Sequence, residues 1–121
     1  MESGVLFIAY NEDAIFVHAG LVHEKPEDNS LHDLIWDREM AHGRQYDGKL
    51  VIFGHTETEE VTYRSPDGTK LQLLPGEIYE LPKQGCINMD TGCVYGQKLS
   101  ALVIENGTIR VYQERHGEHI L

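Results

Sequence analysis

The chain has 121 residues, 40% of them hydrophobic and 25% charged, and its twenty acidic against ten basic side chains give a formal charge of −10. Such a length and composition suit one soluble globular domain, residues 1–121, rather than a disordered chain. The acidic excess disfavours a nucleic-acid partner, whose phosphates would be repelled, but is compatible with an anionic substrate held through metal ions, whose charge can invert the local field.

No apolar run approaches the roughly 18 residues of a membrane span. Met1-Glu2-Ser3-Gly4 lacks the basic start of a secretory signal, so a cytoplasmic protein without a membrane partner is expected.

In chain order, Val5-Leu6-Phe7-Ile8-Ala9-Tyr10 and Ala14-Ile15-Phe16-Val17 are strand-like runs separated by Asn11-Glu12-Asp13, the pattern of an antiparallel hairpin. The second run ends in His18-Ala19-Gly20. A polar loop through Pro26 to Asn29 leads to Ser30, whose hydroxyl suits a helix N-cap, with Asp33 favoured in the first turn by the helix dipole. Leu31, Leu34 and Ile35 share a helical face and Gly43 is a natural stop, so a helix is expected from Ser30 to about His42.

Leu50 to Phe53 is an unbroken apolar run, as in a strand buried on both faces, and it empties into Gly54-His55-Thr56. Residues 57–85 then form a long segment in which Val61 to Arg64 and Lys70 to Leu74 flank Ser65-Pro66-Asp67-Gly68. Proline presets one turn dihedral and glycine accepts the positive one, so this is read as a hairpin insertion. Cys86 to Asp90, Leu99 to Glu105 and Thr108 to Gln113 are further strands, the last two joined by Asn106-Gly107, and residues 116–121 are expected to be a loose tail. The cysteines, Cys86 and Cys93, make no disulfide framework at this size and are expected to be reduced.

Chemistry is suggested where strands end. His18 and His55 each close an apolar run, and neighbouring strands would bring both imidazoles to one sheet edge, where ligands gather. Spacing alone leaves a shared metal and a pair of hydrogen-bonded rim residues equally open. Arg38, in LIWDRE, is by pattern either a solvated charge or a planar fork for phosphate oxygens; Trp36 beside it reads as a packing residue.

In INMDTGCVYG, Asp90-Thr91-Gly92 invites an aspartic-protease reading, which fails because too little chain follows it to complete such a fold. Gly92, Tyr95 and Gly96 suggest a tight loop that presents a phenol near the same edge, or simple turn chemistry. His23, His32, His42, His116 and His119 match no zinc-finger or His-Glu-x-x-His spacing.

Taken in order, FVHAGL (Phe16 to Leu21), LIWDRE (Leu34 to Glu39), VIFGHT (Val51 to Thr56) and INMDTGCVYGQKLSAL (Ile87 to Leu102) resemble the C-terminal half of the calcineurin-like metallophosphoesterases. Within that family the likeness is to bacterial serine/threonine protein phosphatases and dinucleoside tetraphosphate hydrolases. It implies that His18 and His55 ligate one of two catalytic divalent ions (manganese, iron or zinc), that Arg38 orients the phosphoryl group, and that Tyr95 borders the site. The ions would polarise the phosphoryl oxygen and generate a hydroxide nucleophile.

The family's Gly-Asp-x-His-Gly, Gly-Asp-x-x-Asp-Arg-Gly and Gly-Asn-His-Asp/Glu motifs do not occur in these residues. Two dications about 3.5 Å apart repel by on the order of 20 kcal/mol at an effective dielectric of 20, which two neutral imidazoles do not offset. The chain is therefore expected to be a piece of a phosphoesterase, inert without an N-terminal half.

The implied fold is α/β with mostly β content, the C-terminal half of a two-sheet β-sandwich flanked by helices. The chain would supply one sheet, with the Ser30 helix outside it. An inner face left uncovered would drive dimerisation or strand exchange. The expected substrate is a phosphoserine or phosphothreonine protein, ahead of a dinucleoside polyphosphate; the rival is a non-catalytic binding or regulatory module that kept the fold.

Overall fold

A computed structural model of the chain describes residues 8–10, 13–17, 19–21, 28–43, 48–56, 58–92 and 98–115. The described elements are β1 (Ile8–Tyr10), β2 (Ala14–Val17), α1 (Leu31–Trp36), β3 (Leu50–Phe53), β4 (Thr62–Arg64), β5 (Lys70–Gln72), β6 (Ile78–Glu80), β7 (Cys86–Asn88), β8 (Lys98–Glu105) and β9 (Thr108–Arg115). They make a six-stranded sheet, ordered β1-β2-β3-β7-β4-β5, and a three-stranded sheet, ordered β6-β9-β8. The chain is mostly strand, and α1 is the one helix among the described residues. No described helix is long and apolar enough to cross a membrane.

The centre of the larger sheet is parallel: β2 lies beside β3 and β3 beside β7, while β1 and β4 run antiparallel to their neighbours. Leu50 to Phe53 are all buried, as an apolar run in a central strand should be. Side chains alternate across the pleat. Ala14, Leu50, Ile52 and Ile87 therefore face one way and pack with Ile109 and Val111 of the smaller sheet. Ile15, Val17, Val51 and Phe53 face the other way, against Leu21, Leu34 and Met40.

Both sheets come from this one chain, which corrects the expectation that it would supply a single sheet. The inner face on which strand exchange was premised is filled by Ile109 and Val111, both fully buried. Each such side chain contributes roughly 1.5–3 kcal/mol through burial. The smaller sheet also recruits β6, unforeseen because Ile78-Tyr79-Glu80 has no partner nearby in sequence: Tyr79 pairs with Ile109 and Glu80 with Thr108.

Two of the hairpins, β4–β5 and β8–β9, obey their turn residues. Asn106 (φ 51) and Gly107 (φ 74) both take the left-handed conformation that a tight two-residue hairpin turn requires, between Glu105 and Thr108. At the β4–β5 turn, Gly68 N–H donates to the Ser65 carbonyl at 2.9 Å, and the Asp67 carboxylate accepts from the Ser65 hydroxyl and from Thr69 N–H. Those bonds, the hydroxyl's first, hold the Asp67 carboxyl down to about 2.

The helix is shorter than expected. It begins as the sequence indicates, with a reciprocal capping box: Asp33 N–H donates to Ser30 Oγ at 3.1 Å and Ser30 N–H to Asp33 Oδ2 at 3.0 Å. It ends at Trp36 because Asp37 turns extended (φ −59, ψ 134) and its carboxylate accepts from Met40 N–H at 3.1 Å. A short acidic side chain thus gives the backbone an alternative to the next helical bond. A separate turn follows, in which His42 N–H donates to the Arg38 and Glu39 carbonyls, and Gly43 (φ 124) closes it. Leu34 is buried on the helix face as expected, whereas Leu31 is exposed.

Candidate functional site

The carboxyl ends of β2, β3 and β7 lie side by side because the strands run parallel, with Phe16 beside Ile52 and Phe53 beside Asn88. Loops leaving such ends are the usual place for ligands in sheet-based folds.

Contacts draw four distant segments together at this rim. Ala19 N–H donates to the Leu34 carbonyl at 2.8 Å, tying the loop after β2 to α1. Gly20 lies against the turn that follows the helix: a Cβ there would collide with Asp37 Oδ2 and stand 3.1 Å from Met40 Cβ, so a side chain would displace the carboxylate that holds the turn through Met40 N–H. The Trp36 ring meets the His55 imidazole edge to face, with centroids 5.6 Å apart and planes at 89°. Thr58 N–H donates to the Asp90 carbonyl at 2.8 Å, and Met89 N–H to the Phe53 carbonyl at 3.0 Å.

His55 occupies an unusual backbone. Its φ is 71, and Thr56 N–H donates across it to the Gly54 carbonyl at 2.8 Å. A bond closing over one residue of positive φ is the rare, strained form of the three-residue turn. Such strain costs of order 1–3 kcal/mol and persists only where the surroundings impose it. Here Asn88 imposes it, its Nδ2 donating to the Thr56 carbonyl at 2.8 Å while its Oδ1 accepts from Asp90 N–H at 3.1 Å. Asn88 was not singled out in the sequence; its only signal was polarity in a buried strand.

Among the residues singled out, the structure describes His55 and Arg38 and brings their segments together through Trp36. His55 is half-buried, and its Nε2 is shielded from solvent, so a cation reaching that nitrogen must displace its cover. Arg38 is exposed. His18 and Tyr95, with Cys93, His23, His116 and His119, lie outside the described residues. Trp36 is a correction: it is 56% exposed at the rim rather than packed inside. His32 and His42 are exposed.

Asp90 serves its own turn, accepting from Gly92 N–H at 3.0 Å, and Thr91 is buried with its hydroxyl 2.6 Å from Ser100 Oγ. Those contacts give Asp-Thr-Gly a structural role. Cys86 is buried beneath the rim; burial pushes its thiol up, opposed in part by the nearby Arg64 charge.

Among the described residues, no three His, Cys, Asp or Glu side chains are grouped to hold a metal ion. Of the two histidines expected to ligate such an ion, His55, on its constrained turn, is the one among the described residues. Comparisons with protein-family models, with curated proteins and with solved structures return no match.

Proposed function

We propose that the chain is the C-terminal part of a calcineurin-like metallophosphoesterase sandwich and takes part in metal-dependent hydrolysis of phosphoesters. Phosphoserine or phosphothreonine proteins are the substrates put first, and dinucleoside polyphosphates the alternative. The observation that carries the reading is the convergence of FVHAGL, LIWDRE, VIFGHT and INMDTG on the carboxyl ends of adjacent parallel strands, with a histidine held in a strained turn at their centre.

In this reading His18 and His55 are the chain's ligands to one divalent ion, manganese, iron or zinc, and Tyr95 borders the site. When bound, the paired ions supply Lewis acidity and a hydroxide nucleophile at neutral pH. The chain's own work is positioning. Arg38 stands on a turn anchored against Gly20 and Asp37, where its guanidinium can take two phosphoryl oxygens at once. The remaining ligands and the leaving-group acid come from a separate N-terminal half, so hydrolysis by this chain alone is not expected.

Isothermal titration of the chain with manganese tests the reading. His18→Ala and His55→Ala should each weaken binding by roughly tenfold or more, since lost metal-site partners typically cost that much. Unchanged affinity in both would sink it. The shielded Nε2 of His55 favours the second reading, a non-catalytic module that kept the fold, and a chain that takes up no manganese, iron or zinc would favour it further.

A further inference from the structure

The face of the larger sheet turned away from the smaller sheet holds a cavity of about 440 Å³. Its walls come from the two loops of the rim: His42, from the turn after Arg38, and Thr56, Thr58 and Glu59, from the loop after His55. Arg64 and Lys70 form its floor. This hairpin lies outside the segments that carry the phosphoesterase resemblance.

Arg64 and Lys70 are direct cross-strand partners. Opposite residues on one face of an antiparallel pair have Cβ atoms about 4.5–5.5 Å apart, and like charges so placed repel. Arg64 is 7% exposed, and its Nη2 donates to the Met40 carbonyl at 2.7 Å, so its guanidinium is held in place at the cavity. In a chain with twice as many acids as bases, the described residues lining the cavity reverse the balance: Arg64, Lys70 and His42 stand with the single carboxylate of Glu59. Neighbouring Gln72, paired across the strands with Thr62, adds a neutral donor, while the Thr62 hydroxyl donates to the Glu60 carbonyl at 2.8 Å. A multiply charged anion seated between the cations would turn the repulsion into attraction and use the donors around it.

The volume narrows the class of anion. It falls within the roughly 300–1,000 Å³ of small-molecule pockets, whereas an extended phosphopeptide needs an open groove. We infer that the cavity is an anion subsite, built on Arg64, Lys70 and His42, that holds the non-reacting phosphates of a small polyphosphate substrate while its scissile group lies at the His55 rim. This rests on the phosphoesterase reading, with its alternative, dinucleoside polyphosphate substrate, for its orientation, but the binding needs no metal.

The 121-residue chain, titrated with inorganic tripolyphosphate in EDTA and followed by amide chemical shifts, tests it. Saturable shifts are expected at Thr58, Thr62 and Gln72, with affinity roughly tenfold above that for orthophosphate, because two cations are engaged instead of one. Lys70→Glu should weaken tripolyphosphate by roughly tenfold or more; Lys70 is exposed, so a dispersed spectrum of the variant will show that it folds. His42→Ala should weaken it less.

Absence of shifts at those amides, unchanged affinity in Lys70→Glu, or a phosphoserine peptide binding there as tightly would overturn the inference. Failure here with manganese binding intact removes the subsite alone; manganese lost with tripolyphosphate retained removes the metal reading alone.

Discussion

Ile52 and Phe53 are neighbours in the chain and serve opposite faces of the larger sheet. On the Ile52 side, Leu50 and Ile87 meet Ile109 and Val111 in an apolar layer made mainly by regular strands. On the Phe53 side, Leu34 of α1 and Leu21 and Met40 of the loops beside it cover part of the sheet, and the rest gives way to buried Arg64, Asn88 and the cavity. One face is closed by alternation alone. The other depends on single contacts such as Gly20 against Asp37 and Asn88 on Thr56. Both faces bury apolar side chains, while the buried cation and the cavity belong to the second.

Substitutions on the two faces should separate those roles. The largest effect is expected from Ile87→Ala, which empties a fully buried position in the apolar layer and should cost about 2–5 kcal/mol in urea unfolding. A loss below 1 kcal/mol would mean the sheets do not pack as described. Gly20→Ala forces a methyl group into Asp37 and should cost about 1–3 kcal/mol, with amide shifts spreading to Arg38 and His55. Shifts confined to the β2 loop would show that the turn is not seated there.

Ser30→Ala removes the reciprocal cap of a six-residue helix and should cost about 1 kcal/mol. His55→Gly sharpens the contrast, since glycine accepts the positive φ without strain: stability should hold or rise by up to about 1 kcal/mol while manganese binding falls. A clear destabilisation would argue that the imidazole is there to pack.

The smallest effects are in pH. Burial raises the Cys86 thiol above its ordinary 9.0 and the Tyr63 phenol above its ordinary 10.0. As pH climbs past those ordinary values the unfolded chain releases protons that the folded chain keeps, so the unfolded state binds fewer and stability falls. Cys86→Ala should flatten the first part of that decline in thermal melts. At the acid end the sign reverses: the lowered Asp67 carboxyl stabilises the fold above its ordinary 3.8 and loses that contribution as pH falls to about 2. Asp67→Asn should abolish this slope.

Local chemistry made much of the fold legible. Ser30 with Asp33, Asn106-Gly107, and Pro66-Asp67-Gly68 act through neighbours within a few residues, and each forms the feature its residues indicate. The His55 turn was foreshadowed by Gly54, but its strain was not, because that comes from Asn88, far along the chain. Trp36 looked like core by its apolarity and stands at the rim because Asp37 stops the helix beside it.

What the sequence determined by itself was the placement of turns, caps and apolar alternation, since these are settled by dihedral preference and by bonds to adjacent residues. Only the tertiary structure decided that one chain builds both sheets, that β6 joins β9, and that Arg64 and Lys70 share a cavity with the loops after Arg38 and His55. Those outcomes depend on pairing between distant strands, whose partners compete on total burial rather than on any local signal.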